Sequence, residues 1–125
     1  MCGFVAVWDF NGSVDPHRRF IGNALVDLQR RGPDESKIWE DDSAGVIIGF
    51  RRLAIRDLSS AGGQPMISQS GNLVLVLNGE VYNTAELCHW ADILSSELLG
   101  HSDTEVVLEC FERKGIEDTV SRLDG

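Results

Sequence analysis

Cys2 stands one residue from the start of the chain and is the side chain with the most chemistry within reach. Removal of Met1 would make it N-terminal, placing a thiol nucleophile and a free α-amine on one residue. The thiolate is the attacking species, so a catalytic cysteine needs a group to take its proton. An α-amine, with a reference pKa of about 7.7–8.0, is partly unprotonated near neutral pH and can be that base, directly or through a water. Gly3 behind it admits close approach of backbone or ligand. Taken alone, Met1-Cys2-Gly3 reads more simply as an inert thiol at a strand edge.

A cysteine that attacks a carbonyl also needs donors for the oxyanion that forms. Asn78-Gly79-Glu80-Val81-Tyr82-Asn83 follows an apolar run and offers a side-chain amide and a glycine N–H where a strand meets the surface. Fixed donors of this kind stabilise a tetrahedral oxyanion by about 3–4 kcal/mol each. Asn-Gly is equally the strongest hairpin pair, so a turn explains it as well. Arg51-Arg52-Leu53-Ala54-Ile55-Arg56-Asp57 sets guanidinium groups just after a second apolar run. Such a group captures a carboxylate bidentately, although most arginines are simply solvated. In His101-Ser102-Asp103-Thr104-Glu105 the Ser, Asp and Thr read as helix caps, and Asp103 could also pair with a substrate ammonium. His101 reads as a structural hydrogen-bonder and not a general base. A turn suffices for Arg31-Gly32-Pro33-Asp34. A carboxylate pair of Glu80 and Asp103 for glycoside hydrolysis is disfavoured, since spacing in sequence gives no separation in space.

The elements that position these residues follow from pattern. Gly3–Trp8 reads as a first strand ending at the Asn11-Gly12 turn pair. From Asp15 to Arg31 the spacing of Phe20, Ile21, Ala24, Leu25 and Leu28 predicts a helix, with Asp15 as N-cap and Pro16 in its first turn. Gly32-Pro33-Asp34 ends it. Strands are expected over Lys37–Glu40, Gly45–Phe50, Pro65–Gln69 and Asn72–Leu77, with Val46 to Ile48 and Leu73 to Leu77 buried on both faces. Thr84–Trp90 and Asp103–Lys114 have helical spacing, the latter with a core face of Val106, Val107, Cys110 and Phe111. Ile93–Leu99 fits helix or strand. Cys88 and Cys110 read as core.

A chain of 125 residues with 42% hydrophobic content suits one globular domain. No run approaches a membrane span and the first 30 residues lack the plan of a secretory signal, so a cytoplasmic protein without membrane partners is expected. Three cysteines without zinc-ligand spacing predict reduced thiols and no metal. A net charge of −9 with scattered arginine pairs argues against a nucleic-acid partner.

Together, Met1-Cys2-Gly3, Arg31-Gly32-Pro33-Asp34, Arg52-Leu53-x-Ile55-x-Asp57, Gln64-Pro65-Met66, Asn78-Gly79-Glu80-Val81-Tyr82-Asn83 and Ser102-Asp103-Thr104-Glu105 resemble the glutaminase domain of class II glutamine amidotransferases. They are most similar to the asparagine synthetase branch, and the likeness covers residues 1–125. It implies an α+β fold, the four-layer α/β/β/α N-terminal-nucleophile hydrolase sandwich of antiparallel sheets. It implies L-glutamine as substrate, Cys2 as nucleophile, and Asn78 with the Gly79 N–H as oxyanion donors. Arg52 would hold the substrate carboxylate, Glu80 and Asp103 its α-amino end, and Ile55 a backbone contact. No cofactor is expected in this domain; ATP and Mg belong to a synthetase domain or subunit, which has no counterpart here. Leu123-Asp124-Gly125 resembles the start of a further strand, so the domain is expected to be cut short. Two alternatives stay open: an inactive or non-enzymatic glutamine-binding or assembly fragment, and a glutaminase serving an amino-sugar or purine precursor.

Overall fold

The computed structural model describes residues 2–55 and 57–125, so the expectations on Met1 and Arg56 lie outside it. The chain divides into two compact units, Met1–Ala54 and Ile55–Gly125. Helices and antiparallel strands are mixed along it, in keeping with an α+β class.

The first unit is built on β1 (Gly3–Trp8), α1 (Arg18–Asp27), β2 (Glu35–Asp41) and β3 (Val46–Arg52). The strands form one antiparallel sheet in the order β1-β3-β2. Alternation along β1 sends Val5 and Val7 to the face where Ile47 of β3 meets Ile21 and Leu25 of α1, with Val14 completing the cluster. Three details depart from expectation. Val14, not Asp15, takes the cap position and makes no side-chain cap bond; Asp15 lies inside a short 3-10 turn and pairs with Arg18. Phe20 is exposed, because neighbouring residues on a helix point about 100° apart and Ile21 and Leu25 already define the inward stripe. Arg51 and Arg52 do not follow the strand but end it, paired with Gly3 and Glu35. Of the apolar run in β3, Ile47 is buried and Val46 and Ile48 are half-buried, since α1 covers only one face. Gly45 closes the β2–β3 hairpin at φ +67°, where a Cβ would strike the Asp9 carbonyl.

The second unit contains β4 (Met66–Ile67), β5 (Val74–Leu75), α2 (Thr84–Trp90), α3 (Asp103–Lys114) and α4 (Ile116–Val120). The two expected strands shrink to the pairs Met66↔Leu75 and Ile67↔Val74. With β4 as the only partner of β5 among the described residues, Leu73 to Leu77 are half-buried, not enclosed on both faces. Ile93–Leu99 is neither helix nor strand throughout but holds a 3-10 turn over Ser95–Glu97. The Glu97 carboxylate accepts the Leu94 N–H at 2.7 Å and an Arg113 N–H at 3.1 Å. Val106, Val107 and Cys110 of α3 pack with Leu87 of α2 and Ala91 just after it as their spacing requires, while Phe111 and Cys88 are half-buried against them. Among the described residues no helix is long and apolar enough to cross a membrane.

Candidate active site

In the first unit the site begins where β1 leaves Cys2. Its half-buried Sγ accepts the Leu53 N–H at 3.3 Å and faces the Leu53 carbonyl at 3.6 Å. The backbone N–H and carbonyl of Leu53 thus offer the sulfur a donor and an acceptor, and the donor remains useful to a thiolate. Arg31 Nε donates to the Cys2 carbonyl at 3.0 Å, fixing the backbone behind the sulfur. Two residues of Arg31-Gly32-Pro33-Asp34 brace the other side. Asp34 donates its N–H to the Arg52 carbonyl at 3.1 Å and accepts the Ala54 N–H on Oδ2 at 2.8 Å. Gly32 lies against the Arg51–Arg52 peptide so closely that a Cβ would meet the Arg52 nitrogen at 2.6 Å. The segment read as a turn is therefore also the support of the thiol and of the β3 exit. Arg52, with its side chain 8% exposed, donates from Nη1 to Glu35 Oε2 at 3.1 Å.

In the second unit Asn78, Gly79 and Glu80 are exposed, and so is Ile55. Asp103 is buried at the start of α3, where Ser102 caps the helix by accepting the Thr104 N–H at 3.2 Å. Asp103 Oδ2 accepts the Val81 N–H at 2.8 Å and Oδ1 the Thr104 N–H at 2.9 Å. Buried Gln64 accepts the Leu77 N–H on Oε1 at 2.7 Å and donates from Nε2 to Thr104 Oγ1 at 3.1 Å. Asp57 accepts the His101 N–H at 2.8 Å, so the backbone of His101 is part of the scaffold. Glu105 accepts the N–H groups of Leu99 and Gly100 at 2.6 and 2.9 Å.

The far end of the Asn-Gly-Glu motif is held in the same way. Tyr82 N–H donates to the Asp124 carbonyl at 2.7 Å. Asn83 donates from Nδ2 to the Arg122 carbonyl at 2.8 Å and accepts the Asp124 N–H at 3.1 Å. The bracing roles of Gln64, Arg31, Asp34 and Asn83 go beyond the sequence reading, although each lies inside one of its motifs; the first three are polar residues next to Gly or Pro, and Asn83 immediately precedes a helix. The remaining thiols are unsuited to nucleophilic work: burial raises the Cys88 thiol and pushes Cys110 up to about 11, and Cys110 Sγ points at the Leu87 carbonyl.

Comparison with known proteins places these motifs. The glutamine amidotransferase domain family matches residues 1–125. Asparagine synthetase (glutamine-hydrolyzing) 2 of Bacillus subtilis is 40% identical over 118 residues, which cover 93% of this chain and 15% of that protein. Asparagine synthetase B (glutamine-hydrolyzing) of Escherichia coli is 34% identical over 118 residues, 94% of this chain and 20% of that one. A probable asparagine synthetase of Acanthamoeba polyphaga mimivirus is 33% identical over 126 residues, 99% of this chain and 22% of its own length. The chain thus spans about a fifth of the length of the curated relatives it matches. With a thiol at residue 2 held on the Leu53 amide and a family match over every residue, the chain belongs to the class II glutamine amidotransferase domains, of the asparagine synthetase-like kind.

Proposed function

We propose that this domain hydrolyses L-glutamine to glutamate and ammonia through a thioester on Cys2, and that the ammonia serves an asparagine synthetase-like amidation. The observation that carries the reading is the half-buried Cys2 sulfur on the Leu53 N–H at 3.3 Å, immediately beyond Arg52 in a chain matched throughout by the amidotransferase family. After removal of Met1 the α-amine of Cys2 takes the thiol proton, and Sγ attacks the carboxamide carbon of glutamine. The tetrahedral oxyanion receives hydrogen bonds from the Asn78 side chain and the Gly79 N–H. Collapse expels ammonia with the proton returned by the amine, and water then cleaves the thioester to glutamate. The Arg52 guanidinium takes the substrate carboxylate, Glu80 and Asp103 its ammonium, and Ile55 a backbone contact. The fold is that of the four-layer N-terminal-nucleophile hydrolases, and the amidation step, with its ATP and Mg, belongs to a synthetase domain or subunit.

The test is intact mass before and after exposure to an electrophilic ketone analogue of glutamine, with glutamate release measured in parallel. Loss of one methionine and a single adduct are expected, both adduct and release being absent in Cys2→Ala. Glutamate release that persists in Cys2→Ala refutes the mechanism.

A further inference from the structure

The exposed tripeptide Asn78-Gly79-Glu80 carries no regular structure, yet its flanks are held at both ends by buried side chains. Before it, the Leu77 N–H is held by Gln64 Oε1 at 2.7 Å. After it, the Val81 N–H is held by Asp103 Oδ2 at 2.8 Å. The two clamps are themselves joined, because Gln64 Nε2 donates to Oγ1 of Thr104, the neighbour of Asp103, at 3.1 Å. Leu77, Gln64, Thr104, Asp103 and Val81 therefore close a ring of side-chain and backbone links around the tripeptide, entirely within the second unit.

We infer that Gln64 is a positioning residue for the oxyanion donors, setting the place of Asn78 and Gly79 relative to the start of α3. This rests on the glutaminase reading above and adds a residue to it. Gln64 does not touch substrate in this scheme. Its carboxamide is suited to the task because it supplies an acceptor and a donor at once, and both are used. Nearly complete burial removes competing water, so losing the amide leaves the Leu77 N–H without its partner and the flank of Asn78 released. A donor aimed at the transition state is sensitive to such release, since a displacement of about 1 Å costs on the order of 10²-fold in rate. Substrate binding depends less on it, because the oxyanion exists only after attack.

The experiment compares wild type, Gln64→Met, Thr104→Val and Thr104→Ser in the Met1-processed full chain. Steady-state glutamine hydrolysis and hydrogen exchange at the Leu77 and Val81 amides are both measured. Gln64→Met is expected to lower kcat on the order of 10²-fold while KM changes by no more than about threefold. Exchange at Leu77 should rise about tenfold or more, with the β1 and β3 amides unchanged. Thr104→Val should lower kcat by a smaller factor, and Thr104→Ser, which keeps the hydroxyl, should restore it. The two readings fail separately. A wild-type chain that releases no glutamate overturns the glutaminase reading and with it any role for Gln64 in that reaction. An active wild type beside a Gln64→Met variant with unaltered kcat, or with no faster exchange at Leu77, overturns the positioning role alone. A rise in exchange spread evenly over all amides also overturns it, since Gln64 would then be merely structural.

Discussion

Replacing Gly32 with alanine should injure the thiol site without touching it. A Cβ at residue 32 would stand 2.6 Å from the Arg52 nitrogen and closer still to the Arg51 carbonyl carbon, against ordinary contact at 3.4 Å or more, so the two backbones must part by about 1 Å. The β3 side cannot yield easily, because Arg51 pairs with Gly3 across β1 and Arg52 with Glu35 across β2. The Gly32–Asp34 segment moves instead, drawing Asp34 away from the Arg52 carbonyl and the Ala54 N–H and pulling on the Arg31 bond to Cys2. Because the Asp34–Ala54 bond is exposed, the lower end of the range for charge-assisted bonds applies, and the combined loss is about 2–3 kcal/mol. For a chain of this size that is a fall in unfolding midpoint of about 8–12 °C. Labelling of Cys2 by the glutamine-shaped ketone should slow on the order of 10²-fold, since that reaction needs an aligned site. A small neutral alkylating agent needs no alignment and should react no more slowly. Differential scanning calorimetry and timed intact-mass measurements give both numbers. An alanine variant with the wild-type midpoint and the wild-type rate of ketone labelling would refute the view that Gly32 is required by backbone approach.

Further expectations follow from the same contacts. The His17 imidazole at 2.7 Å from Asp9 Oδ2, with the Asn11 N–H, holds the Asp9 carboxyl below its usual range. A carboxyl depressed by folding adds stability above its unfolded pKa of about 3.9 and loses it as pH falls through the folded value. Asp9→Asn should therefore lower stability at neutral pH, with the two urea-derived curves converging at the acid end; a gap that stays constant with pH would be the contrary result. Alkylation of the folded chain near neutral pH should consume Cys2 first and Cys110 last, because burial raises the Cys110 thiol to about 11. Peptide mapping after timed quenching reads that order. Leu87→Ala, at a side chain 1% exposed between α2 and α3, should cost about 2–5 kcal/mol in denaturant unfolding.

Periodicity exposed the parts of the fold that one face of one element decides. Gly3–Trp8 and Asp103–Lys114 appear with the bounds their patterns require, and Val106, Val107 and Cys110 point inward. Where the deciding partner lies far along the chain, pattern misleads. Arg51 and Arg52 look like residues beyond a strand that stops at Phe50, but pairing with Gly3 and Glu35 makes them its last two residues. Leu73 to Leu77 look fully enclosed, but β5 has a single strand partner among the described residues, a fact about Met66 and Ile67 that no local window contains. The position of Cys2 and the residue types of the Asn78-Gly79 pair were readable from chemistry alone. The supports of Cys2, at Arg31 and Leu53, lie 29 and 51 residues away and were not.

Those distant supports share one logic. Asp34, Asp57, Gln64, Asp103 and Glu105 each accept a backbone N–H from a segment outside regular strands and helices: Ala54, His101, Leu77, Val81, and Leu99 with Gly100. Backbone groups removed from water must be paired, and a loop without a ladder has to borrow its acceptors from side chains. In the second unit, where strand pairing among the described residues amounts to two residue pairs, these side chains supply acceptors that a ladder would otherwise provide. The same need gives Gln64 of Gln64-Pro65-Met66 and Glu105 of Ser102-Asp103-Thr104-Glu105 a task in the scaffold, since their side chains hold backbone N–H groups. Exchanging Asp103 for asparagine makes the distinction between scaffold and substrate contact measurable. The amide keeps one acceptor for Val81 or Thr104 but turns an N–H toward the other, so faster exchange at one of these two amides is expected along with any change in KM. A rise in KM with both amides undisturbed would instead assign the Asp103 carboxylate wholly to the substrate.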